Sequence, residues 1–286
     1  MRMRDRLSRP EILTTPGVYD ALTAKLAKDA GFEALYLSGA AVAYTRLGRP
    51  DIGLTSVTEM AETMALVRDR VDLPVIIDAD NGFGNALNAQ RTMRLYERAG
   101  ANALQVEDQS YPKRCGHLSD KTLIPSAEMA GKIQAMVDAR LNDETLVIAR
   151  TDAIAVEGYA AAIERAEKYR EAGADVLFIE APEDEAQLSA IAEHFAGRIP
   201  LLANMVEGGA TPTKSASYLE ALGFSVVIFP GGIVRALARA AEDYYASLKA
   251  HGSNAPFQNR MFDFSALNER LETPAMLEAG KRYGAD

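Results

Sequence analysis

The sequence predicts an α/β protein built as a (β/α)8 TIM barrel, on three observations. Short apolar, β-branched runs alternate with longer segments of helical periodicity. The runs are apolar throughout, so both faces of each strand are expected to be buried, as in a parallel sheet covered by helices. About eight such units fit within roughly 230 residues, the size of one barrel. An open doubly wound sheet would share the alternation. No Gly-x-Gly-x-x-Gly follows a first strand, so a dinucleotide-binding version lacks its signature.

In chain order, the first strand is expected at 12–18 and a helix at 21–30. ALYLS (34–38) is the second strand, followed by a helix at 57–70. PVIID (74–78), a helix at 88–99, ALQVE (103–107) and a helix at 126–139 come next. TLVIA (145–149), a helix at 158–172, VLFIE (176–180) and a helix at 185–195 continue the pattern. LLA (201–203), a helix at 214–221 and VVIF (226–229) complete it. Ala30-Gly31, Ala99-Gly100, Ala172-Gly173 and Leu222-Gly223 read as helix stops, because glycine accepts the left-handed conformation that ends a helix. The barrel is expected over 10–250, with a helical extension at 251–286 completing a single domain. In that extension Phe257, Met261, Phe262 and Phe264 carry much apolar surface. Packing on the chain's own barrel and packing on a neighbouring subunit both account for it.

The 286 residues are 48% hydrophobic and 25% charged, enough to bury a large core without disulfides. A net charge of −9 argues against nucleic acid and anionic lipid as partners. One cysteine, Cys115, permits no intrachain disulfide and fits a reducing, cytoplasmic setting. The basic, polar first ten residues do not read as a signal peptide, and no apolar run is long enough to span a membrane.

Polar residues gather at the C-terminal ends of the strands: Asp78 and Asp80, Glu107 and Asp108, Arg150 and Asp152, Glu180, Asn204. In a parallel barrel those ends share one face, where active sites are built. Any one of them could simply cap the next helix. Their recurrence at successive strand ends points to a site. Asp78 and Asp80, two apart in extended chain, would face the same way, and a hard divalent cation relieves their repulsion. Glu107 on the next strand would complete an oxygen-rich site. Magnesium suits such a site, manganese can replace it, and no histidine pair has zinc spacing. Cys115 lies in KRCGH, flanked by Lys113, Arg114 and His117, cations that favour a reactive thiol. Gly116 permits mobility or close approach to a ligand. Ser38 with the following N–H groups would either cradle a carboxylate or cap a helix. Arg150 would either grip a carboxylate or form a structural ion pair with Asp78, Glu107 or Glu180.

The motifs YLSG, DADNGFG, VEDQ, KRCGH, ARTDA, the glutamate of FIEA and ANMVEGGATP occur in this order. Over about 10–250 the chain thereby resembles the isocitrate lyase/phosphoenolpyruvate mutase superfamily. KRCGH is the specific part: it resembles the branch of methylisocitrate lyases, dimethylmalate lyases and oxaloacetate hydrolases. The resemblance implies a (β/α)8 barrel, Mg2+, and a homotetramer whose last barrel helix is exchanged between subunits. It implies that Asp78 and Asp80 bind the metal, with Asp51 and Glu107 holding metal-bound waters. Tyr36, Ser38, Gly39 and Ala40 would lie at the substrate carboxylate. Cys115 would be the catalytic acid, with Gly116 and His117 on its loop. Arg150, Glu180, Asn204, Arg235 and Arg260 would contact the substrate, a small carboxylic acid.

The chain departs from methylisocitrate lyases at Ser38-Gly39-Ala40, Asn204-Met205-Val206-Glu207 and Phe229-Pro230-Gly231-Gly232. NMVEGG is closer to the dimethylmalate lyase and oxaloacetate hydrolase branch. Gly231 and Gly232 supply no serine of the kind that marks the hydrolases. Cleavage of a carbon–carbon bond in a 2-alkylmalate-like acid is the reading that follows. Oxaloacetate hydrolysis and phosphonomutase chemistry are its rivals.

Overall fold

The computed structural model describes residues 2–116, 120–209 and 211–284. Contacts divide the chain into two compact units, Met1–Val234 and Arg235–Asp286.

The first unit is a closed barrel of eight strands in sequence order. They are β1 (Leu13–Val18), β2 (Leu35–Leu37), β3 (Val75–Asp78), β4 (Ala103–Glu107), β5 (Leu146–Thr151), β6 (Val176–Ile179), β7 (Leu201–Asn204) and β8 (Val226–Phe229). Every neighbouring pair is parallel, and β8 closes on β1 through Leu13–Val226 to Pro16–Phe229. The expected architecture is therefore present. All eight expected strands appear, two with unchanged bounds and the others shifted by at most two residues.

The connections are α2 (Ala21–Asp29), α4 (Val57–Arg70), α5 (Ala86–Arg98), α6 (Ser126–Ala139), α8 (Tyr159–Glu171), α9 (Glu185–Phe195) and α10 (Ala216–Leu222). Asp20, Ser56 and Asn85 cap α2, α4 and α5 by accepting from backbone N–H groups, and α5 begins earlier than expected because Asn85 is its cap. The four expected glycine stops have φ between 90° and 105°. Three short helices had no periodicity to announce them: α1 (Met3–Leu7), α3 (Gly39–Val42) and α7 (Ile154–Glu157). A π-helical turn, Ala43–Leu47, follows α3.

Two apolar cores explain how the strands aim their side chains. One lies between sheet and helices and takes Leu35, Leu37, Val75, Ile77, Leu104, Val106, Val147 and Leu177. The other fills the barrel with Leu13, Tyr36, Ile76, Ala103, Ile148, Phe178, Leu202 and Ile228, and Met3 of α1 joins it. Inward and outward residues alternate with the strand period of two. Ser38, Asp78, Glu107, Arg150, Glu180 and Asn204 each stand two residues beyond an inward residue: Tyr36, Ile76, Gln105, Ile148, Phe178 and Leu202. The pleat itself thus turns six polar side chains toward the C-terminal mouth.

The second unit contains most of α11 (Gly232–His251), a 3-10 turn at Ala255–Arg260, α12 (Phe264–Arg270) and α13 (Thr273–Lys281). Its buried centre is Phe257, edge-on to Tyr244 at 5.5 Å. Tyr245, Phe264, Met276, Leu277 and Tyr283 are exposed.

Candidate active site at the barrel mouth

Asp78 ends β3, and the chain then turns sharply. Asp80 adopts a left-handed φ of 44°, and its N–H donates to Asp78 Oδ1 at 3.1 Å. This corrects the expectation of an extended pair: a turn, not strand alternation, brings the two acids together. The Asp80 carbonyl accepts from Glu107 N at 2.9 Å, which ties the turn to β4. The Gly39 N–H donates to Asp78 Oδ2 at 3.3 Å. The Ser38 hydroxyl accepts from Ala41 N, so it caps α3, and Ala40 is half-buried in the same helix. Tyr36 donates its hydroxyl to Gln105 Oε1 at 2.6 Å inside the barrel.

Lys113 drives its ammonium into the acids, 2.6 Å from Asp51 Oδ1 and 2.8 Å from Asp80 Oδ1. Its neighbour Cys115 is therefore not the group that receives this charge, contrary to the sequence expectation for Lys113. Arg114 reaches Asp120, at 3.5 Å on the surface. Burial pushes the Asp80 carboxyl up to about 7, against Lys113, with Asp78 and Asp51 adding to the rise. Burial also raises Glu107 well above the usual carboxylate range, against Arg150. Among the described residues Glu107 Oε1 is buried with no hydrogen-bond partner, and Asp80 Oδ1 stands against the Lys113 ammonium.

Among the described residues, no three of His, Cys, Asp and Glu converge into a preformed metal cage. The acids Asp51, Asp78, Asp80 and Glu107 nevertheless exceed the positive charge of Lys113 and Arg150, and all four are buried. An all-oxygen set in which Glu107 Oε1 has no partner among the described residues fits a hard divalent cation held by few carboxylates and by water. It does not suit a sulfur- or imidazole-preferring metal.

Arg150 organises the opposite side. Its Nε and Nη2 donate to Asp152 at 2.9 and 3.0 Å. Glu107 lies 3.4 Å away and Glu180 3.7 Å away, and the Phe178 ring is stacked 5.0 Å beneath the guanidinium. Of the ion pairs weighed for Arg150, those with Glu107 and Glu180 are present, while its shortest contacts are to Asp152, which was not among them. Asn204 Nδ2 donates to both Glu180 oxygens at 3.2 Å. Asp152 is fully buried. Burial opposes its charge, yet Arg150 and then Lys121 bring its carboxyl down to about 2. Its N–H donates to Asp108, which also accepts from Thr151, Tyr169 and Arg165.

The loop from β4 to α6 lies against both groups. Its base is closed by Ser110 N to Thr122 O at 2.8 Å and Ile124 N to Asp108 O at 2.9 Å. Gln109 grips the Arg114 backbone from both sides, accepting from its N–H and donating to its carbonyl. The half-buried Cys115 donates its N–H to the Asp51 carbonyl at 3.2 Å. Gly116 presses on the arginine side: a Cβ there would stand 2.2 Å from Arg150 Nη2 and 2.4 Å from Glu180 Oε1. His117 lies outside the described residues.

The barrel unit therefore gathers Ser38, Gly39, Asp51, Asp78, Asp80, Glu107, Cys115, Gly116, Arg150, Glu180 and Asn204 at one mouth. Arg235 and Arg260 belong to the second unit, where Arg260 pairs with Asp243 at 2.8 Å and covers the Phe257 ring at 4.4 Å. Sequence reasoning did not single out Gln109 or Lys121. Both are loop residues outside any periodic element, although Gln109 sits inside the VEDQ motif.

A family model described as phosphoenolpyruvate phosphomutase matches residues 3–249. The chain is 41% identical over 282 residues to a 2,3-dimethylmalate lyase of Eubacterium barkeri, covering 99% of this chain and 97% of that one. It is 47% identical over 272 residues to a 2-methylisocitrate lyase of Bacillus subtilis (strain 168), covering 95% and 88%. A crystal structure of 2,3-dimethylmalate lyase superposes with a TM-score of 0.93 at 34% identity, covering 98% of this chain and 93% of that one. A closed parallel barrel, acids at one side of its mouth and a cysteine loop laid on an arginine–glutamate pair accompany these matches, and the chain belongs to the phosphoenolpyruvate phosphomutase family of the isocitrate lyase superfamily.

Proposed function

We propose that the barrel mouth cleaves a carbon–carbon bond in a 2-hydroxy di- or tricarboxylic acid of the 2-alkylmalate type, such as 2,3-dimethylmalate. The products are an oxo acid, pyruvate or glyoxylate, and a saturated carboxylic acid. The observation that carries this reading is the placement of Gly116 against Arg150 and Glu180, with the Cys115 N–H on the carbonyl of Asp51, whose carboxylate shares Lys113 with Asp80.

Asp78 and Asp80 would hold Mg2+, with Asp51 and Glu107 holding its waters. A cation held there would offset the acids' charge and lower the pKa of the substrate hydroxyl, whose proton passes to a base at the mouth as the carbonyl of the oxo acid forms and the carbon–carbon bond breaks. Arg150, fixed by Asp152 and Phe178, holds the carboxylate of the departing fragment and stabilises negative charge as the bond breaks. Glu180 and Asn204 orient that same end. The Cys115 thiol gives its proton to the carbon that keeps the electron pair of the broken bond. Arg235 and Arg260 would add substrate contacts, and His117 would serve the Cys115 loop.

Four chains would form the working enzyme in the cytoplasm, associating through the last barrel helix and the extension. The exposed Phe264, Met276, Leu277 and Tyr283 support this association. Among the described residues no helix is long and apolar enough to cross a membrane.

The test is turnover. Offered 2,3-dimethylmalate, 2-methylisocitrate, oxaloacetate and phosphonopyruvate with Mg2+, the enzyme should release pyruvate from one of the first two, and excess chelator should abolish it. Release of oxalate from oxaloacetate, or turnover of phosphonopyruvate alone, would replace this reading with one of its rivals.

A further inference from the structure

Lys121 lies near the base of the cysteine loop, and its side chain is 2% exposed. A buried ammonium is costly without acceptors. It has two: Asp152 Oδ1 at 2.9 Å, and the Gly116 carbonyl in a short contact. The first acceptor is shared: Arg150 also makes two hydrogen bonds to the Asp152 carboxylate, so Lys121 is not its sole partner. The second acceptor is main chain next to Cys115, and it receives this proton from a side chain five residues ahead.

The Gly116 peptide is therefore held from both sides. Lys121 takes its carbonyl oxygen, and its Cα rests on Arg150 and Glu180 at a distance that excludes a Cβ. On the N-terminal side of Cys115, the Asp51 carbonyl accepts the cysteine N–H. Asp152 joins the two halves, because one buried carboxylate receives Lys121 from the loop and Arg150 from the strand.

We propose that Lys121 is a positioning residue for the reaction: by bridging the Gly116 carbonyl to Asp152, it fixes the Cys115–Gly116 segment in register with Arg150. Resting on the carbon–carbon lyase reading, it adds a residue whose effect on chemistry passes through Gly116 and Arg150. A purely structural Lys121 would change melting temperature and leave the environment of Cys115 as it was.

Cys115 is the sole cysteine, so its alkylation by iodoacetamide reports on that environment without interference and without turnover. In Lys121→Met, losing a charge-assisted hydrogen bond should speed alkylation about tenfold. Misplacement of the segment should lower kcat about 10²-fold, with KM within about threefold of wild type. Lys121→Arg, which keeps charge and donors, should move both readouts back toward wild type. If Lys121→Met does not fold by circular dichroism, Lys121→Gln carries the same expectations. Wild-type alkylation and kcat in the substituted enzyme would overturn the proposal, as would failure of both neutral variants to fold, since either result makes Lys121 merely structural. A wild-type enzyme that releases no oxo acid from any substrate would instead sink the lyase reading, and the alkylation comparison would still decide the role of Lys121.

Discussion

Gly116 shows how much one hydrogen atom can decide. Its Cα leaves no room for a methyl group between Arg150 and Glu180. The far ends of those side chains could shift, but Arg150 is held by Asp152 and Glu180 by Asn204. Gly116→Ala is therefore expected to move the segment rather than the barrel. Displacement by about 1 Å costs about 10²-fold in rate. We expect kcat to fall by that order with the thermal midpoint within a few degrees of wild type, read by steady-state kinetics and differential scanning calorimetry. A normal kcat would mean that the segment lies elsewhere during turnover. Among single residues, the sequence carried the acids, Arg150, Glu180, Asn204 and Cys115, because each sits at a strand end or in a recognisable motif. It could not carry the pairings. By sequence Lys113 neighbours the thiol, whereas in the fold it reaches back to Asp51 and Asp80 across the mouth.

At the scale of elements, the pleat of each strand places the site. The inward residue two positions earlier aims Asp78, Glu107, Arg150 and Asn204, so strand bounds accurate to a residue or two were enough to locate the mouth. The left-handed turn at Asp80 breaks that rule, and a period of two cannot signal it. Loops carry the rest: Gln109 and Lys121 act through backbone contacts that leave no periodicity. The link between β5 and the β4–α6 loop is Asp152. Its carboxyl is held near 2, below its ordinary 3.8, chiefly because Arg150 and Lys121 outweigh burial. A depressed folded-state value gives stability that is present above the unfolded pKa and lost as pH falls through the folded one. The contribution is about 2 kcal/mol, lost between about pH 4 and pH 2. Asp152→Asn should reduce the slope of stability in that window by the share of one carboxylate. It should also lower stability near neutral pH by about 3–5 kcal/mol, because two buried cations lose their partner. Urea unfolding at several pH values measures both. Equal slopes in the two proteins would contradict this account of Asp152.

For the whole molecule, the division at Val234 and Arg235 assigns the barrel chemistry to one unit and much exposed apolar surface to the other. The sequence showed that surface through Phe262 and Phe264, but hydrophobicity alone does not say what covers it. With self-association as the proposed reason, sedimentation should find a species of four chains. Phe264→Glu combined with Leu277→Glu should shift it toward smaller species, since buried apolar anchors contribute about 2 kcal/mol or more each at interfaces. An unchanged distribution would remove that surface from the interface.

The central claim is that Cys115 protonates the departing fragment, and isotope incorporation tests it most directly. In D2O the wild-type enzyme should release a carboxylic acid carrying one deuterium at the carbon where the bond was cut. Cys115→Ser should bind the same substrate with similar affinity and lose about 10²–10⁴-fold in rate, with incorporation slowed in parallel. Near-native turnover and labelling in Cys115→Ser would contradict the assignment and require another proton donor at the barrel mouth.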